Sequence, residues 1–91
     1  MVYVDNFNAK YRGMVMCHMI ADTRQELFEM VDKIGVKRKW VQEYDTYNEH
    51  FDICQAKKKL AIANGATEIN FREYANLVNR RVYEGHISPL K

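Results

Sequence analysis

His18 stands in the middle of the longest apolar run of the chain, Met14 to Ala21 (MVMCHMIA). An imidazole in such a run either hydrogen-bonds inside a core or faces a pocket, so its chemistry has to be accounted for first. Asp5 closes a short β-prone run and Asp22 closes the long one. If those two strands run parallel, both carboxylates lie at carboxyl-terminal strand ends, where open α/β sheets hold their ligands. His50-Phe51-Asp52 supplies a second imidazole. In an extended segment His50 and Asp52 point the same way, and together with Asp5 and His18 they form a donor set for a divalent metal or a phosphate. Each residue also has a plainer reading, as a satisfied core histidine at position 18 or, for Asp22, as electrostatic support of a helix start.

Positive charge is available in two places. Helix starts expected at Asp22-Thr23 and at Asp52 would offer free amide groups to an anion, and Lys57, one turn into the second helix, would neutralise the same ligand. Lys57 or Lys59 is expected to face a pocket rather than Lys58, which points away from the stripe Ile53, Ala56, Leu60 and Ala63. The second place is Lys37-Arg38-Lys39, followed by Trp40, Tyr44 and Tyr47. Aromatic rings beside cations stack a base and hold its phosphate, although basic runs this short are ordinarily solvated faces. Cys17 beside His18 makes no nucleophile and base pair, because adjacent strand residues point to opposite faces.

The elements that must position these groups follow from pattern. Val2-Tyr3-Val4 reads as a first strand, Asn6 to Gly13 as a turn, and Met14 to Ala21 as a central strand buried on both sides. Thr23-Arg24-Gln25-Glu26 fits a capping box, Leu27, Met30, Val31 and Ile34 recur at helical spacing, and Gly35 suits a left-handed end, so a helix is predicted from Arg24 to Ile34. Val36 to Glu49 reads as a connection or short edge strand and then a loop. Asp52 with Gln55 predicts a second helix closed by Gly65, Thr67 to Ile69 a strand, and Asn70 with Glu73 a third helix with stripe Tyr74, Leu77, Val78 and Val82. The expected fold is α/β: a small, mainly parallel three- to four-stranded sheet covered by about three helices, in a single domain over 1–85 with a loose tail over 86–91.

Composition narrows the function classes. With 91 residues, 47% hydrophobic and 29% charged, the chain is expected to form one core. A net charge of +2 means that attraction to nucleic acid would have to come from local patches. There is no GxxxxGK[ST], GxGxxG or GxSxG motif and no CxxC pair, so P-loop, Rossmann, hydrolase-elbow and zinc-ribbon readings lack support. No apolar run approaches the roughly 20 residues that cross a bilayer, no signal-peptide pattern is present, and Cys17 and Cys54 are expected to be reduced thiols. Cytoplasmic residence without membrane attachment is expected, in a host cytoplasm if the gene is carried by a phage. Cys54, Ile62, Trp40, Tyr44 and Tyr47 are left over once the core stripes are assigned, which suggests a two-fold homodimer.

Taken together, the segments around Val2 to Asp5, Arg12 to Thr23 (RGMVMCHMIADT), His50 to Asp52, Lys57 and Gly65-Ala66 resemble an uncharacterised domain-of-unknown-function family, catalogued as number 4031 and seen in bacteria and phages. The resemblance runs from Val2 to about Val78. It implies polar family positions at Asp5, His18, Asp22, His50, Asp52 and Lys57, and carries no activity with it. Many members have a histidine in the first helix where this chain has Phe28, and the aromatic loop Tyr44 to Asn48 looks longer than is usual in the family.

Two functions remain open on these grounds. One is a pocket of His18, Asp5, Asp22, His50, Asp52 and Lys57 that binds a phosphorylated ligand or a divalent metal and hydrolyses a phosphoester. The other is an accessory protein without turnover, of phage type, that captures a nucleotide or a host protein through Lys37, Arg38, Lys39, Trp40, Tyr44 and Tyr47, with nucleic acid as a further partner left open.

Overall fold

Strand β3, Met14–Ala21, is the axis on which the rest of the chain is assembled. A computed structural model describes residues 1–7 and 9–83. The expected tail over 86–91 and the end of the domain lie outside the described residues. Strand β1 (Val2–Val4) and strand β2 (Ala9–Tyr11) both pair antiparallel with β3 along one edge, β1 with residues 19–21 and β2 with residues 14–16. Strand β4 (Phe51–Cys54) pairs antiparallel with residues 16–19 from the other edge. Strand β5 (Thr67–Glu68) extends the sheet beyond β1 and is parallel to it. The sheet is therefore mixed rather than mainly parallel.

The antiparallel start has a local cause. Arg12 and Gly13, with φ of 49° and 79°, join Tyr11 to Met14 in a two-residue hairpin. A two-residue loop with positive φ at both positions suits the right-handed twist of paired strands. The stretch expected to be only a turn thus holds a strand as well.

Helix α1 (Arg24–Ile34) begins as its capping box predicts, with the Thr23 hydroxyl accepting from the Glu26 amide at 3.2 Å. It ends at Gly35, whose φ of 77° a side chain would strain. Helix α3 (Phe71–Tyr83) starts on the reciprocal bonds of Asn70 and Glu73, at 3.0 and 2.8 Å.

Helix α2 (Gln55–Ala63) departs from the expected phase. Phe51 and Ile53 are buried in strand alternation, so residues 51–54 belong to the sheet and the helix begins at Gln55, with Cys54 rather than Asp52 at its N-cap. Asp52 caps nothing. The buried positions of α2 are Lys58 and Ala61, while Ala56, Leu60 and Ala63 of the expected stripe are exposed. Lys58, the lysine expected to face solvent, lays its aliphatic stem against the sheet and brings its ammonium to Glu68 at 2.7 Å.

Two layers cover the sheet. Val2, Val4, Cys17, Met19, Ala21, Phe51 and Ile53 face α1 and α2, where Leu27, Met30, Val31, Ile34 and Ala61 complete the main core. On the opposite face Ile20 and Tyr3 pack with Ile69 and with Tyr74, Leu77 and Val78 of α3. No helix among the described residues is long and apolar enough to cross a membrane.

Candidate metal centre

Strand alternation separates Cys17 from His18 and sends them to different chemistry. Cys17 is buried in the main core, where desolvation pushes its thiol up to about 12, so it is a neutral core residue. His18 faces the other way and stacks on Tyr74 (4.6 Å between ring centroids) and on Phe7 (5.3 Å).

Asp5 determines how His18 is held. Strand β1 stops at Val4, opposite Met19, and β2 resumes at Ala9, opposite Met16, so four residues face two across the ladder. In that gap the Asp5 carboxylate replaces a strand partner: Oδ1 accepts from the His18 amide at 2.8 Å and Oδ2 lies 2.7 Å from His18 Nδ1. Asp5 itself is fully buried. Held at Nδ1 by Asp5, the ring turns its Nε2 toward Asp52.

His50 is held in the same sense by different elements. Its Nδ1 donates to the Asn48 carbonyl at 2.6 Å, and the Tyr74 hydroxyl holds Asn48 Oδ1 at 2.9 Å. Next to it, Glu49 is buried in an ion pair with Arg24 at 2.9 Å, which fastens the loop to the start of α1. Because His50 and Asp52 are two apart in extended chain, they face together, and Asp52 is paired across the ladder with His18.

The three side chains converge. Asp52 Oδ1 lies 3.4 Å from His50 Nε2 and 3.9 Å from His18 Nε2. One ligand atom from each of His18, His50 and Asp52 falls within 4.8 Å of the others. Tetrahedral ligands around zinc sit about 3.3 Å apart, given metal to nitrogen distances of about 2.0–2.1 Å. Coordination would require the set to close from within 4.8 Å to about that spacing. Both imidazoles turn Nε2 toward Asp52 with Nδ1 tied to a partner, the arrangement that orients metal-binding histidines, and to ligate a metal His50 would give up the Nε2 proton it shares with Asp52.

Electrostatics follow the geometry. Burial of His50 disfavours its charged form, but the hydrogen bond to Asp52 and that to the Asn48 carbonyl outweigh it and hold its pKa above the usual value. The same hydrogen bond from His50 holds Asp52 below the usual carboxylate range.

His18 and Asp52 also form part of the wall of an open cavity of about 900 Å³, with Phe7, Lys10, Arg12, Lys39 and Trp40 around it. A family model described as "Protein of unknown function (DUF4031)" matches residues 2–81. The chain belongs to that family. No curated protein and no solved structure matches this DUF4031 chain.

The remaining expected site residues lie elsewhere in this DUF4031 fold. Asp22 is exposed and accepts from the Tyr3 hydroxyl at 3.3 Å, because antiparallel pairing puts it beside the start of β1 and far along β3 from Asp5. Lys57 donates to the Ile34 carbonyl at 2.8 Å and closes the carboxyl end of α1, a cation placed where the helix dipole favours one. Phe28 packs edge-on against Phe51 in the main core, on the sheet face away from the histidines. The aromatic and basic set divides. Arg38 turns to Asp32 at 2.7 Å, Lys37 lies over Trp40, and Tyr44 stacks on Arg24, so only Lys39 and Trp40 reach the cavity.

Asn48, Phe7, Lys10 and Arg12 are site neighbours that the sequence did not single out. Lys10 and Arg12 had a signal in the Arg12-Gly13 turn, which makes a hairpin and so lays them along β3. Asn48 had none, since it acts through its backbone carbonyl.

Proposed function

We propose that this DUF4031 protein binds a divalent metal ion through His18, His50 and Asp52, and uses it to hold a phosphorylated ligand whose phosphoester it can hydrolyse. The observation that carries the reading is the convergence of two Nε2 atoms and one carboxylate within 4.8 Å, each imidazole braced at Nδ1. Two imidazoles and one carboxylate suit zinc, manganese or iron better than magnesium, which prefers an all-oxygen shell. Three protein ligands would leave room for water or a ligand on the ion, and two of them, His18 and Asp52, line the cavity. A divalent ion held by these residues would supply Lewis-acid polarisation of a phosphoryl oxygen and activation of water at neutral pH. Asp5 and Asn48 would be positioning groups, fixing tautomer and ring angle.

The test is metal uptake by the purified protein. Mn²⁺ or Zn²⁺ should raise the melting temperature, since binding to the native state alone stabilises by about 2.7 kcal/mol at a hundredfold excess over Kd. His50→Ala should remove the rise while the protein still melts cooperatively in EDTA. No shift with either ion in the wild-type protein would refute the centre.

A further inference from the structure

The cavity beside the centre has a composition that the metal site does not require. Among the described residues its wall carries Lys10, Arg12 and Lys39 against one carboxylate, Asp52, which the proposed centre uses as a ligand. Trp40 and Phe7 stand in the same wall, about half-exposed at 54% and 43% of their surface. Cations beside a half-exposed indole, which carries Lys37 over one side, and a phenyl ring packed on His18 match an anion that carries flat rings. A small-molecule site typically encloses about 300–1,000 Å³. This one, at about 900 Å³, runs into a second hollow of about 370 Å³ through the shared Lys10, Arg12 and Met14. Together they make a trough along the β2–β3 hairpin, longer than one compact ligand needs.

We infer that this trough binds single-stranded nucleic acid, with a base stacked on Trp40, the backbone held by Lys10, Arg12 and Lys39, and a phosphate brought to the His18 and Asp52 end. The inference names the ligand class of the centre proposed above and rests on that reading for the phosphate at the metal. Capture by the trough itself requires no ion. A double helix does not fit the recognition: its bases are stacked on one another and unavailable to Trp40.

Trp40 is the chain's one tryptophan, so its fluorescence reports the site directly. Oligodeoxythymidylate and oligouridylate octamers, titrated in EDTA at low salt, should quench it saturably. Inorganic tripolyphosphate, which has charge without bases, should not. Lys39→Gln should weaken binding and flatten the dependence of log Kd on log salt by about 0.7, the value for one phosphate contact on a single strand. Trp40→Ala, followed by fluorescence anisotropy of a labelled octamer, should weaken binding about fivefold or more. Equal binding of tripolyphosphate or of duplex, no binding of either octamer, or binding indifferent to both substitutions would each overturn the inference. Titration in EDTA separates the two proposals. Strand binding without Mn²⁺ uptake leaves the trough and removes the centre, and the reverse result removes the trough alone.

Discussion

The two faces of the sheet are built from alternate residues of the same strand, yet one is closed and the other is open. On the closed face Cys17, Met19 and Ala21 of β3 meet α1 and α2 and are buried to 2% exposure or less. On the open face Ile20 is sealed by α3, but His18 is only partly covered and Met16 lines the cavity. The difference lies in how many helices each face receives. Two helices suffice to exclude water from a small sheet, whereas α3 covers only the β1 and β5 side. What remains uncovered is where polar donors and flat rings gather. Stability and candidate chemistry are thereby assigned to opposite sides of a single strand, which lets the open side carry groups that a core would reject.

The contrast can be broken most strongly from the closed side. Phe51 is fully buried between Phe28 and the main core, and Phe51→Ala should cost about 3–5 kcal/mol of unfolding free energy, measured by urea denaturation. A loss below about 1 kcal/mol would mean that the main core is not where stability resides.

A smaller effect should come from the pH dependence of the metal-free protein. His50 has its pKa raised in the folded state, so its contribution is fully present below the ordinary value of 6.5 and disappears as pH rises through the raised value. Asp52 has its pKa lowered, so its contribution is present above the ordinary 3.8 and disappears as pH falls through the lowered value. In EDTA the urea midpoint should therefore fall on the alkaline side of 6.5, and His50→Gln should flatten that limb. An unchanged limb in the variant would assign the dependence to other groups.

The smallest effect is expected at the open face. Trp40→Ala removes a half-exposed ring that is not one of the buried core residues and should change stability by no more than about 0.5 kcal/mol, the usual range for surface sites. A loss comparable with Phe51→Ala would erase the distinction between the faces.

Much of the local structure was legible because its causes are local. The boxes Thr23 to Glu26 and Asn70 to Glu73, the left-handed Gly35 and the apolar run of β3 all act within a few residues, and each appears where the pattern placed it. The same holds for His50 and Asp52 facing together, which strand geometry dictates once the segment is extended. The boundary between β4 and α2 was not legible. Asp52 and Gln55 satisfy a cap pattern, but pairing of Phe51 to Cys54 with β3 claims those residues for the sheet, and the buried face of the helix moves to Lys58 and Ala61.

By itself, then, the sequence determined the helices α1 and α3 and the strands β1 and β3, but not β2 or β4. It could not determine strand direction, because parallel and antiparallel partners ask for the same side-chain alternation. Only the tertiary structure decided that β1 and β3 run antiparallel. That one choice carries Asp5 to His18 and Asp22 away from it, and pairing on the opposite edge brings Asp52 and His50 to the same place. Side-chain type sets what a group can do, while the register of non-local strand pairs sets which groups meet.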